Sequence, residues 1–331
     1  MPHTIGSIFV PKIFPWRRSS TLPEAREGLT YGSPELEAVR AAARAGDRTA
    51  VAALIACAQD SDDRSDTVLV AASTVVAGHG GTVPRWLLDW VTGEPGDPIG
   101  WTLRGAVEVL RAWEVRGYHR VREPGPGFPR MLDAAEVMCA RAAELDPADP
   151  TPWVWLVHLA RGQDGPPTAL RERWTRLRAL APQHLRGHEQ MLISLSPKWG
   201  HPPRVMTEFV AGAVATAPVG SALNLLVLRG YLEEWVECSP GGQRRLLERP
   251  EVRAHAQQAV DRWLHPHGVD PRARISGHNL VAFWYSLCGE PELARPHFEA
   301  TRGHADRYPW SYLRADFLRA YLRCRQRSGL V

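Results

Sequence analysis

The chain has 331 residues, is 44% hydrophobic and 23% charged, and carries a formal net charge of +4. This is the profile of a soluble globular protein with enough material to bury a core. The signs of charge alternate along it, which excludes a dedicated nucleic-acid binder, and no apolar run approaches the ~18 residues of a membrane span.

Of the 40 basic residues only Lys12 and Lys198 are lysines. This arginine bias, with many alanines, points to a GC-rich, bacterial genome. The five cysteines are odd in number, far apart and form no C-x-x-C pair, as expected of reduced thiols in a cytoplasm. With 28 glycines and 28 prolines, regular elements must be short and often interrupted.

Residues 1–32 begin with "MPHTIGSIFVPKIFPWRRSS". The segment is apolar but broken by Pro11 and Pro15, and its arginines follow the apolar part, unlike a secretory leader. It reads as an extended arm packed on the fold. From Ser33 onward the periodicity is helical throughout. "SPELEAVRAAARAG" has Ser33 as N-cap, Pro34 in the first turn, Glu35 and Glu37 near the positive end of the dipole, and Gly46 as its stop. Residues 34–58 read as a first helical pair and 64–117 as an irregular section, in which "WTLRGAVEVLRAWEVRG" sets Leu103, Val107, Leu110 and Trp113 on one face and ends at Gly117.

Between these lies "SDDRSD". Asp62, Asp63 and Asp66 spell D-D-x-x-D and precede the apolar helix "TVLVAASTVVAG". Acids at a helix N-terminus complement its dipole, the simplest reason for them. The motif is also similar to the aspartate-rich motif of class I terpene synthases. That resemblance implies carboxylates one turn apart holding magnesium and a diphosphate, in an all-helical chain whose 13 tryptophans line a pocket. No second motif of the N/D-x-x-x-S-x-x-x-E type follows, since "NLLVLRGYLEE" from Asn224 lacks its serine.

Beyond residue 129 the helices repeat. Pro147, Pro182 and Pro218 end Ala-rich helices and are spaced 35 and 36 residues apart, a period typical of a helix–turn–helix solenoid. Within this region His184 and His188 stand four apart on one helix. They share a face, but H-x-x-x-H lacks the inserted glutamate of the zinc hydrolases and needs a third ligand, of which His201 is nearest in sequence. Next comes "SPKWGHP", a connection between helices. Lys198, between Pro197 and Trp199 and close to His201, is read either as a point charge for an anionic ligand or a partner's carboxylate, or as a cap on the preceding helix. Trp199 suits the seam between helices. Lys198, Trp199, His201 and His188 form the candidate ligand or partner surface. "DRWLHPHGVD", with Asp261, His265, His267 and Asp270, reads as a solvated helix end and loop.

In "FWYSLCGEPELARPHFEA", Tyr285 is followed by Gly289, Ala294 and Phe298. The aromatic, the turn glycine and A-x-x-x-F resemble a tetratricopeptide repeat, in which small residues let paired helices approach closely. The string "AAELDPADPTPW … SPKWG … APVGS" also resembles an uncharacterised actinobacterial family of helical-repeat proteins. The C-terminal run with Arg319, Arg323, Arg325 and Arg327 complements the end of a last helix.

The expected fold is therefore all-α, a right-handed array of about fourteen helices in antiparallel pairs. Irregular pairs span 33–128 and tetratricopeptide-like repeats 129–331, in one continuous domain. Such an array, without a complete catalytic set, reads as a cytoplasmic binding or scaffold protein that holds a peptide, a protein partner or a small ligand on its concave surface and needs no cofactor. No phosphate-binding glycine loop and no nucleophile elbow occurs. The alternative is a magnesium-dependent prenyl-diphosphate enzyme acting through Asp62, Asp63 and Asp66.

Overall fold

The computed structural model describes residues 25–117, 127–163, 167–265 and 271–330. The protein is all-α. Seventeen α-helices and two short 3-10 turns occur among the described residues, and the two strands are two residues each. The sequence expectation of about fourteen helices is exceeded because prolines divide the chain more finely. Arg249, held extended by the Pro250 that follows it, separates helices Pro240–Glu248 and Pro250–Trp263.

The chain folds as two compact units, divided between Leu195 and Ser196, inside the stretch read as regular repeats. The first unit contains α1 (Pro34–Ala45), α2 (Arg48–Ala56), α3 (Ser61–Gly78), α4 (Arg85–Gly93), α5 (Pro98–Arg116), α6 (Gly127–Leu145), α7 (Thr151–Ala160), α8 (Pro167–Leu180) and α9 (Leu185–Ser194). Local signals set the boundaries. Ser33 caps α1 by accepting from the Leu36 amide, and Gly46 ends it at φ 70°, a conformation that costs glycine nothing. The odd-numbered helices pack in succession, α1 on α3, α3 on α5, α5 on α7 and α7 on α9, with the even-numbered helices laid against them. Helix α5 is covered by α2, α3, α4, α6 and α7. Its polar face is therefore buried as well, and Glu108 there binds both Arg104 and Arg111. Helix α3 also reaches α7 and α9, which brings the "SDDRSD" turn to the start of α9.

The second unit contains α10 (Pro203–Thr216), α11 (Leu226–Glu237), α12 (Pro240–Glu248), α13 (Pro250–Trp263), α14 (Pro271–Cys288), α15 (Pro291–Ala300), α16 (Arg307–Trp310) and α17 (Phe317–Arg327). Its core is aromatic: Trp263, Phe283, Trp284, Phe298, Trp310 and Tyr321 are all buried. The Tyr285–Phe298 motif forms the α14–α15 pair, with Gly289 at φ 74° in the turn and Ala294 and Phe298 buried at the crossing. Of the N-terminal arm, residues 25–31 are described. Arg26–Glu27 (β1) pairs in parallel with His304–Ala305 (β2). Buried Asn279 on α14 secures this clip, donating to the His304 carbonyl and accepting from the Asp306 amide and the Trp310 indole. Residues 1–24, Lys12 included, and the loop positions His267 and Asp270 lie outside the described residues.

Candidate functional site

The aspartates of "SDDRSD" are divided among separate partners. Asp60 caps α3 by accepting from the Asp63 amide at 2.8 Å, and Asp63 in turn accepts from the Gln59 amide at 2.8 Å. The cap satisfies one of the N–H groups that a helix start leaves open, and Asp63 ties the residue before the cap to the first turn. Asp62 and Asp66, one turn apart, face α9 instead. Asp62 Oδ1 accepts from the Leu185 amide at 3.0 Å and lies 3.2 Å from His184 Nδ1. Asp66 Oδ1 accepts from Arg186 Nη2 at 2.6 Å. Arg64, between them in sequence, reaches buried Asp149 at 2.9 Å. The positive charge at this turn is thus a guanidinium, and Asp63 does not join the other two. The magnesium reading draws no support from this geometry.

His184 is the N-cap of α9. Its Nδ1 accepts from the Gly187 amide at 3.2 Å, while Nε2 lies 3.2 Å from the Ser61 carbonyl and 3.0 Å from Ser65 Oγ. That pattern requires a neutral ring with its proton on Nε2, and burial, reinforced by Arg186, pushes its pKa down to about 4. Burial, reinforced by Asp66, pushes Asp62 up to about 7. His188 donates from Nδ1 to the His184 carbonyl at 2.8 Å, packs edge-on against Trp174, and is held below its ordinary pKa by burial. Both Nδ1 atoms of the H-x-x-x-H pair are therefore engaged in holding the start of α9. Among the described residues, no group of three or more His, Cys, Asp or Glu is placed to hold a metal ion.

"SPKWGHP" folds as the 3-10 turn Pro197–Trp199, ended by Gly200, and His201 is half-buried in the link to α10. Lys198 Nζ lies 2.6 Å from Glu233 Oε2 on α11, a carboxylate only 1% exposed. Tyr312 donates to the other oxygen, Oε1, at 2.5 Å. Burial and Glu233 hold Tyr312 well above the ordinary phenol range, so it remains a donor. The anion that Lys198 meets is therefore internal, and neither an outer ligand nor the carbonyls of α9 are needed to explain the lysine. Trp199 is half-buried beside it. Of the four residues of the sequence-based surface, His188 lies in the first unit, and Lys198, Trp199 and His201 lie in the second.

The second unit contains a groove of about 310 Å³ that sequence reasoning missed. Three helical stripes build it. Helix α10 gives Met206, Val210 and Val214, α11 gives Val227, Gly230, Tyr231 and Glu234, and α13 gives His255, Ala259 and Arg262. Each set follows the i, i+3, i+4 spacing of one helix face. The floor is apolar and the rim polar. Tyr231 Oη and His255 Nδ1 form a hydrogen bond of 2.8 Å at one edge. At another, Arg262 is fixed by the Asn224 side chain and the Ala217 carbonyl. Half-buried Glu234 is the acid on the rim. Each stripe by itself reads as an ordinary amphipathic face; only their tertiary placement makes a cleft. Comparison with family models and with curated proteins finds no match to this chain.

Proposed function

We propose that the chain is a helical-repeat binding protein whose ligand is a short apolar, aromatic-containing peptide segment lying in the α10–α11–α13 groove. The groove itself is the observation that carries this reading. It has the apolar floor and few placed polar groups of a recognition site, at the small end of the usual range of roughly 300–1,000 Å³. The successive packing of helices and the Tyr285–Phe298 pair support a tetratricopeptide-like affiliation, in which grooves between helices take up peptide side chains. Five free thiols and the arginine-rich composition support the cytoplasm of a bacterium as the setting.

The test begins with peptides selected from a random library on the full-length protein. Ala211 and Thr207 line the groove at exposed positions of α10, so arginine at either site is compatible with the fold. Ala211→Arg and Thr207→Arg are each expected to weaken the selected peptides at least tenfold with an unchanged melting temperature. Affinities equal to wild type in both variants would refute the groove as the binding site.

A further inference from the structure

We propose that the α10–α11–α13 groove selects a bipolar peptide segment: an apolar core with an acidic side chain on one flank, taken by Arg262, and a basic side chain on the other, drawn to Glu234. This deepens the peptide reading given above and rests on it.

Arg262 is a cation held in place by neutral atoms. Its Nε donates to Asn224 Oδ1 at 2.9 Å and its Nη2 to the Ala217 carbonyl at 3.0 Å. Asn224 is fully buried, and its amide nitrogen donates to the Pro218 and Ser221 carbonyls at 2.8 Å each. Its oxygen is thereby left facing the guanidinium. The Gly220 amide also donates to the Arg262 carbonyl at 2.8 Å. The side chain is therefore oriented before any ligand arrives. Two of its five N–H groups are taken, which leaves N–H groups on both Nη atoms. Among the described residues no carboxylate pairs with it. Asp261, next to it in the chain, accepts instead from Gln257. A positioned guanidinium matches a carboxylate better than any other common partner.

The acid of the groove lies at the opposite end. Helices α11 and α13 run antiparallel here: Asn224, just before α11, meets Arg262 in the last turn of α13, and Tyr231 meets His255 further along. Glu234 comes next and lies toward Arg249, which precedes α13. From Val227 to Glu234, and from Arg262 back to His255, each stripe covers about two turns, or about 10 Å. Arg249 does not neutralise the Glu234 end. It stands 4.0 Å from Glu234 but 2.8 Å from Glu251, so one guanidinium serves two carboxylates. The groove is positive at one end and negative at the other, with its apolar floor between.

Charge complementarity defines the occupant. An extended chain advances ~3.3 Å per residue, so the two charged side chains stand about three or four residues apart with the apolar ones between them. Such a segment supplies a partner at both ends as water leaves the cleft. A purely apolar one covers Arg262 without an acceptor and is penalised for it.

Peptides selected on the protein as above, synthesised with both ends blocked, are the probes. Changing the acidic side chain of such a peptide to its amide is expected to weaken binding about tenfold. Changing its basic side chain to norleucine should weaken it about threefold, because Glu234 is a rim group. Glu234→Gln should remove the second loss and keep the first, and Arg262→Gln should do the reverse. The melting temperature of Arg262→Gln reports whether the loop it holds survives, and the changes made in the peptide give the same reading without touching the fold. Selected peptides that lack the two charges, or charge effects that Glu234→Gln and Arg262→Gln both leave unaltered, would overturn the proposal. So would a gain on unblocking the C-terminus that replaces the acidic side chain, since Arg262 would then hold a chain end. Ala211→Arg separates these failures from that of the groove. Binding lost in Ala211→Arg, with neutral peptides bound as tightly as charged ones, keeps the groove and sinks its charge selection. Binding that survives both Ala211→Arg and Thr207→Arg sinks both.

Discussion

Lys198 and Glu233 show how one residue's chemistry depends on a partner 35 positions away. Glu233 sits at 1% exposure and Lys198 at 25%, so the two ends of the pair are unequal. Removing the lysine leaves a desolvated carboxylate with Tyr312 as its remaining described hydrogen-bond partner. Removing the charge of the glutamate leaves an ammonium that can turn to water. Breaking a buried pair costs about 3–5 kcal/mol, and the partial exposure of Lys198 sets the expected loss for Lys198→Ala near the lower figure, about 3 kcal/mol. Glu233→Gln keeps an acceptor oxygen for Lys198 and can donate from its amide to the Tyr312 hydroxyl, and should cost clearly less. Urea unfolding of the two variants and of the double variant checks this: equal losses would mean that the pair is solvated. The oddity of a lone lysine was legible in the sequence. Its partner was not, because no local pattern distinguishes Glu233 from its exposed neighbour Glu237 on the same helix.

At the scale of elements, what was legible was local. Ser33, Gly46 and Gly117 bound their helices as read, since caps act over three or four residues, and the α14–α15 pair was legible because its motif lies within one turn-linked unit. The D-D-x-x-D turn was half legible: capping by Asp63 follows from the sequence, whereas the direction of Asp62 and Asp66 toward α9 depends on a contact some 120 residues away. Close approaches of helices are equally hidden. On α5, a Cβ at Gly105 would stand 2.5 Å from Cys139 Sγ and 3.3 Å from the Cys139 amide nitrogen on α6. In an isolated helix, alanine would gain about 1 kcal/mol over glycine. Here the crossing reverses the sign, because overpacking costs about 1–3 kcal/mol and the backbone of α6 cannot turn aside. Gly105→Ala is expected to lower stability. Adding Cys139→Ala removes the sulfur and should recover part of the loss, a coupling that a double-mutant cycle measures. A Gly105→Ala protein as stable as wild type would show that α5 and α6 can separate freely.

For the whole molecule, buried titratable groups set the response to pH. His184 is pushed down to about 4 and His297 to about 3, and His158 and His188 are lowered as well, burial being the first cause in all four. His297 shares a 2.9 Å Nδ1–Nδ1 contact with His278, which holds one proton comfortably and resists a second. A histidine whose folded pKa lies below its unfolded value of ~6.5 contributes stability that is complete above that value and is lost as pH falls toward the folded pKa. Asp62 has the opposite sign. Raised to about 7, it contributes stability that is complete below its unfolded value of 3.8 and is lost as pH rises through 7. Between about pH 6.5 and 5, four histidines therefore oppose one carboxyl, and unfolding should take up a net of up to about three protons. The urea midpoint is expected to fall as pH is lowered across this window, above the range where ordinary carboxylates titrate. A midpoint constant from about pH 6.5 to 5 would contradict the burial of these rings. Asp62→Asn isolates the opposing group, because the amide oxygen can still accept from Leu185 and the side chain no longer titrates. Its midpoint should exceed wild type at about pH 8, and its decline toward pH 5 should be steeper by about one proton. A variant that tracks wild type in parallel at every pH would mean that Asp62 is ionised in the folded protein.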